Sequence, residues 1–402
     1  MGQGAFEPSA KGETSVDQAR RGGEPAGGKQ SQRTPADDGR VESVSALKLS
    51  LLLLLALPVA PALEFLWGGP PIAVFLTGAA AIAVLADWVR RATENVAKHV
   101  GQAIGGLLNV SFGSAAELIL AIFVLIGGKT DVVRAQITGS IIGTSLLGLG
   151  VAIVVGGVGR EGLRFKRERA GLLSSMLILV VIALLLPAVF DLTAGARTDA
   201  GQLAITDEEL SIGVSAVLLL LYAANLVYTL ITHRDVFASD EREEGGQAGW
   251  PLWVALLVLV GATVAIALEA ELVSGALEAT AGALGISQVF LGVVVLALVG
   301  TAADLFAAAW FARQDKMGLV LNICIGSAIQ VALVVAPLLV LISWAIGSPM
   351  TLVFRSPLDL FAITGAAFVV NAISGDGETT WFEGVLLVGV YVLFGLGFYF
   401  VA

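Results

Sequence analysis

Eleven stretches of about twenty apolar residues, separated by short polar segments, dominate this 402-residue chain. The bilayer interior offers no water, so every backbone N–H and C=O inside it needs an internal partner. Only helices and closed barrels meet that demand. The alternation of a barrel strand is absent here. Hydrophobic residues make up 56% of the chain and charged residues 14%, whereas soluble domains carry about 25% charged residues. The sequence therefore predicts an all-α polytopic membrane protein. Its 48 glycines allow the helices to pack closely.

The predicted spans are 46–66, 71–90, 97–127, 130–157, 170–189, 208–231, 251–268, 287–312, 318–345, 354–373 and 382–401. Segment 269–285, with Glu269, Glu271 and Glu278, reads as an interfacial amphipathic helix. Residues 1–45 are polar and poor in large apolar side chains, so they are expected to form a disordered cytoplasmic tail. Segment 232–250, with Asp240, Glu241, Glu243 and Glu244, reads as an acidic cytoplasmic linker. It divides a leading helix plus first five-helix repeat (46–231) from a second five-helix repeat (251–402). Five is odd, so the second repeat enters the membrane from the opposite side and the repeats are inverted.

The repeat is visible in the residues. Gly113, Ser114, Ala115, Ala116 and Glu117 are matched by Gly300, Thr301, Ala302, Ala303 and Asp304, 187 positions later (304 − 117). Ala121 and Ala308, Lys129 and Lys316, Gly139 and Gly326, and Ser140 and Ser327 keep that offset of 187. A carboxylate at bilayer depth costs about 2.5–3.5 kcal/mol on insertion scales, so its duplication implies use. On helices of opposite direction, Glu117 and Asp304 can meet near the midplane and bind both cation and protons. Ser114 and Thr301 add hydroxyls beside them. The next helix of each half supplies Ser140 and Thr144, or Ser327 and Gln330.

These groups make a hard-oxygen site. Calcium takes six to eight oxygens, whereas zinc favours Cys and His. Cys324 is the single cysteine, and His99 and His233 lie near polar flanks. The eight candidate metal ligands are Glu117, Asp304, Gln330, Ser114, Thr301, Ser140, Ser327 and Thr144.

Ala92-Thr93-Glu94-Asn95-Val96, Gly105-Gly106-Leu107-Leu108-Asn109 and the Glu117 motif together resemble the first repeat of the cation/proton exchanger family, within the calcium:cation antiporter superfamily. The stretch from Lys316 to Pro337 resembles that family's second repeat. The resemblance implies an exchanger of about eleven helices that moves Ca2+ against H+, with the two acids shared between the ions. Ser114 and Thr301 stand where the family has asparagine, Asp304 where it has glutamate, and Leu305 where a histidine follows. Thr144 stands where asparagine is common.

Alternating access at such a site gives antiport, because two close buried carboxylates accept either a cation or protons. Exchange of Na+ or another monovalent cation for H+ on the same fold is the alternative. An intramembrane aspartyl protease would need paired aspartates, and a channel would show no proton coupling. We expect an ion transporter, not an enzyme, with Ca2+ as transported substrate and no cofactor. Its partners are Ca2+, H+ and the lipid bilayer, with no nucleic acid, and the sequence does not give its oligomeric state.

Loops on the tail side hold Arg90, Arg91, Lys98, Arg160, Arg164, Lys166, Arg167, Arg169, Arg234, Arg242, Arg313 and Lys316. The opposite side holds Lys129, Arg134, Arg197 and Arg355. That bias predicts an N-terminus in the cytoplasm and, with eleven spans, a C-terminus outside; a prokaryotic cell membrane is the expected location.

Overall fold

The computed structural model describes residues 57–100, 108, 112–195, 199–228, 249–354 and 356–401. The tail, most of the first span, nearly all of the acidic linker, Gly105 to Leu107, Asn109, Arg197 and Arg355 lie outside them. After a short helical stretch, Val59–Ala62 and Leu63–Trp67, the first repeat comprises α1 (Pro71–Val100), α2 (Ala115–Ile126), α3 (Thr130–Gly157), α4 (Arg167–Ala194) and α5 (Ala200–Val227). The second comprises α6 (Leu252–Leu284), α7 (Gln288–Arg313), α8 (Met317–Ala345), α9 (Pro357–Ser374) and α10 (Trp381–Val401). Among the described residues, nine of these helices are long and apolar enough to cross a membrane, and α2 is a shorter apolar helix.

Local sequence explains several boundaries. Pro71 opens α1 and Pro357 opens α9, positions where a missing N–H does no harm. Ser287 caps α7 by accepting a hydrogen bond from Phe290 N at 2.9 Å, and Ser356 caps α9 through Leu358 N at 3.3 Å. Gly285 ends α6 in the left-handed region, at φ 67°.

The structure repeats as the sequence does. Lys129 and Lys316 precede α3 and α8 with φ/ψ of −96°/57° and −95°/56°. Gly128 (φ 75°) is matched by Asp315 (φ 62°), and both lysine N–H groups reach back to equivalent carbonyls, Val124 O at 3.2 Å and Phe311 O at 3.1 Å. The π-helical segments Gly143–Gly148 in α3 and Val331–Val335 in α8 also correspond. Such widened turns recur at functional positions in helices.

The repeats are inverted. Arg160, just past α3, pairs with Asp315, just before α8, at 3.2 Å. At the other end Arg134, near the start of α3, donates to Thr351 O, just past α8, at 2.9 Å. The two helices therefore run in opposite directions. α3 and α8 are also the most enclosed spans, with 83% and 67% of their apolar windows buried, against 22% for α5. Large apolar residues on α4, α5, α6 and α10, such as Ile182, Leu220, Leu257 and Phe400, face outward as lipid contacts require. Trp253, Trp344 and Trp381 are exposed at helix ends, where amphipathic rings favour the membrane interface. One short antiparallel pair, Leu163–Arg164 with Glu378–Thr379, ties the α3–α4 loop to the α9–α10 loop.

Two expectations are corrected. Segment 269–285 is not a separate interfacial helix, because α6 continues unbroken to Leu284. No proline interrupts it, and Glu269 is buried against α1, where a Cβ on Gly78 would lie 3.3 Å from its Oε2. Arg90 and Arg91 lie within α1 and not in a loop. Ion pairs one turn apart, Arg90 with Asp87 (2.8 Å) and with Glu94, and Arg91 with Asp87 (2.6 Å), carry the helix past the predicted end of its span.

Candidate functional site

α2 and α7 meet at the two acids. A Cβ on Gly300 would fall 2.6 Å from Glu117 Cγ and 3.4 Å from its Cα, so α7 lies directly against Glu117. Gly300 and Asp304 are four residues apart and share one helix face. The face that touches the first acid therefore also carries the second. A second crossing reinforces the first: a Cβ on Gly139 of α3 would lie 1.9 Å from Val293 O of α7. Only glycine permits that approach.

Glu117 occupies the first turn of α2 and is 3% exposed, and neither carboxyl oxygen has a hydrogen-bond partner. The Ser114 and Ser140 side chains lie around it without completing a hydrogen bond. Ser114 is a helix break, with φ −102° and ψ 20°, so the chain kinks one turn before the acid. Asp304 is half-buried within the continuous α7, with Ser327 beside it and Arg90 of α1 near enough for its charge to act. Ser327 Oγ is buried without a partner. Irregular backbone and unpaired buried oxygens at this depth need a cavity or a ligand.

The other expected ligands take varied places. Thr301 Oγ1 donates to Ala297 O at 2.9 Å, and Thr144 Oγ1 donates to Ser140 O at 2.8 Å. Both keep oxygen lone pairs to offer. Gln330 is brought across the repeats, because a Cβ on Gly113 would stand 3.5 Å from its Oε1. Gly113 lies just before the break that precedes Glu117, so the amide stands beside the entry to α2. Cys324, near Asp304, is a buried free thiol. Among the described residues no three or more His, Cys, Asp or Glu side chains are grouped to hold a metal. Any cation bound here thus draws on hydroxyl, amide and carbonyl oxygens beside the two acids.

Two participants escaped the sequence reading. Gln136 is buried, its Nε2 donates to Glu117 O at 3.2 Å, and its Oε1 is left unpartnered. Its signal was the i, i+4 row: Ser140 and Thr144 extend back one turn to Gln136. The row is unrepeated there, since the equivalent position is Ile323 (136 + 187). Arg90 was missed because it was assigned to a loop.

A family model, sodium/calcium exchanger protein, matches residues 70–231 and 254–400. A Ca2+/H+ antiporter of Aphanothece halophytica is 39% identical over 343 residues, covering 82% of this chain and 90% of its own. One from Synechocystis sp. is also 39% identical, over 372 residues, 88% of this chain and 97% of its own. The solved structure of native YfkE superposes with a TM-score of 0.75 at 32% identity, covering 88% of this chain and all of that one.

Proposed function

The chain belongs to the sodium/calcium exchanger protein family, and from that premise we propose that it exchanges Ca2+ for H+ across a membrane at a site shared by Glu117 and Asp304. The observation that carries the reading is the crossing at Gly300, which sets the Asp304 face of α7 against Glu117. The relatives named as Ca2+/H+ antiporters cover most of the chain and support the choice of ions.

The chemistry follows from charge. Two close carboxylates at this depth, one buried and one half-buried, cannot stay ionised together without compensation, which a divalent cation or protons can supply. Occupancy by one excludes the other, and this exclusion couples the two fluxes. The pair titrates as one unit, so neither proton belongs to a single residue. Ca2+ takes oxygens from both acids and from Ser114, Thr301, Ser140, Thr144, Ser327 and Gln330, toward the six to eight it prefers. The access route alternates as α2 and α7, held together at Gly300, rock against α3 and α8, with Gly139 on Val293 as the close contact between the two pairs. In the orientation set by the lysines and arginines, the Lys316 end of the bundle is cytoplasmic and the Lys129 end faces outward.

Everted vesicles or proteoliposomes carrying a proton gradient and a pH-sensitive dye test this. Added Ca2+ is expected to dissipate the gradient, and Glu117→Gln to abolish the response. A response to Na+ alone would move the protein to monovalent cation exchange, the reading favoured by the short Asp304 ligand and the absence of asparagine at Ser114 and Thr301.

A further inference from the structure

A second polar face of α3 lies at the Lys129 end, away from Glu117. Asp131, Arg134 and Thr138 follow at i, i+3 and i+7 and so line one side of the helix. Ser140, beside Glu117, stands about 3 Å further along α3 but about 200° around it. Arg134 is only 9% exposed. Its Nε donates to Thr351 O at 2.9 Å, one terminal nitrogen reaches Thr351 Oγ1 at 3.4 Å, and the other pairs with Asp131 at 2.5 Å. Thr351 lies between α8 and α9, so this guanidinium holds the first repeat to the second.

Beside it stands Asp359, from the first turn of α9, only 7% exposed. Its Oδ1 is buried without a hydrogen-bond partner, and so is the Oγ1 of Thr138, which faces it. Among the described residues the charged groups around Asp359 are Arg134 and Asp131, both on α3. α4 and α10, which also pack on α9, present none to it. The arrangement is uneven, because the exposed acid, Asp131 at 72%, holds the buried guanidinium while the buried acid stands apart. An ionised carboxylate left unpaired in such a place is strongly unfavourable, so Asp359 needs a proton or a cation, and among the described residues the cation beside it is Arg134.

We propose that Asp359 is a proton-binding station separate from the two-carboxylate site. It holds a proton while Arg134 bridges Asp131 and Thr351. When its O–H bond breaks and the proton leaves to water on the outer side, the carboxylate takes Arg134 from Asp131, and the link to Thr351 loosens. The station's part in transport rests on the exchanger reading; its proton binding does not.

Infrared difference spectroscopy of the full chain in lipid, across a step in outer pH, reads the station directly. The titrating carboxylic-acid C=O absorption of the wild type, to which Glu117, Asp304 and Glu269 also contribute, is expected to lose one component in Asp359→Asn. The outer-pH profile of exchange should shift by about one pH unit or more in that variant, a tenfold change in proton activity. Should Asp359→Asn fail to fold, Asp131→Asn at the exposed position gives a second reading: it frees Arg134 for Asp359, and the band should titrate at lower pH. Absorption whose amplitude is unchanged in Asp359→Asn, or whose Asp359 component ignores Asp131→Asn, overturns the station while leaving the exchanger intact. A band that titrates as expected in a protein showing no cation/proton exchange supports the station and removes the exchanger reading.

Discussion

The two halves of this molecule present equivalent acids in unlike settings. Glu117 stands at the start of a short helix, after the break at Ser114, with both oxygens buried and unpartnered. Asp304 sits inside a continuous helix, half-buried, with the guanidinium of Arg90 in its field. Position 277, which answers to Arg90 (90 + 187), is a leucine, and among the described residues no cation acts on Glu117 as Arg90 does on Asp304. In the first half the backbone yields before the acid. In the second it stays helical, and Gly300 serves close approach instead of unwinding. A duplicated sequence thus supplies two carboxylates, while unrepeated neighbours put a guanidinium near one of them and a helix break before the other.

The largest expected effect tests what the halves share. Glu117→Gln and Asp304→Asn should each abolish exchange while leaving the protein folded, read as transport in proteoliposomes alongside an unchanged thermal melt. Transport retained by either would make the halves unequal in function as well as in setting. Next comes the packing that joins them. Gly139→Ala puts a methyl group onto Val293 O, and Gly300→Ala puts one onto the Glu117 side chain. Overpacking costs about 1–3 kcal/mol. Gly139→Ala should therefore lower the melting temperature, while Gly300→Ala should depress transport more than stability because the group it displaces is the acid itself.

A smaller change sharpens the electrostatic difference. Arg90→Gln removes a cation from the Asp304 side only, so Ca2+ should bind several-fold more tightly and leave more slowly; concentration dependence of uptake and efflux rate measure both. Equal binding before and after would show that Asp87 and Glu94 already neutralise the guanidinium. The least effect is expected at the turns. Lys129 Nζ donates to Ser274 O at 2.9 Å, tying the α2–α3 turn to α6, and Lys129→Met should cost about 1 kcal/mol, seen as a small loss in melting temperature.

Much of this was legible in the sequence, for physical reasons. Apolar runs and the offset of 187 follow from bilayer thickness and from duplication, both of which act on residues one can count. The Lys129 and Lys316 turns obey the same offset, as do Gly113 and Gly300, although Gly300 lies on an acid and Gly113 on Gln330. What escaped depended on one half alone. Gln136 has no polar mate at Ile323, and Arg90 has none at Leu277. The end of α1 was misplaced because charge normally ends a span, whereas here Asp87, Arg90, Arg91 and Glu94 neutralise one another within the helix. Glu269 misled for the reverse reason: an acid that suggested an interface is buried against Gly78 in the middle of α6.

The central claim is that cation and protons compete for one pair of carboxylates. Calorimetric titration of the purified protein with Ca2+, in buffers of different ionisation enthalpy, counts the protons displaced on binding. Proton release that accompanies Ca2+ binding and disappears in Glu117→Gln is the predicted result. Ca2+ binding without proton release, or release unchanged by that substitution, would contradict it.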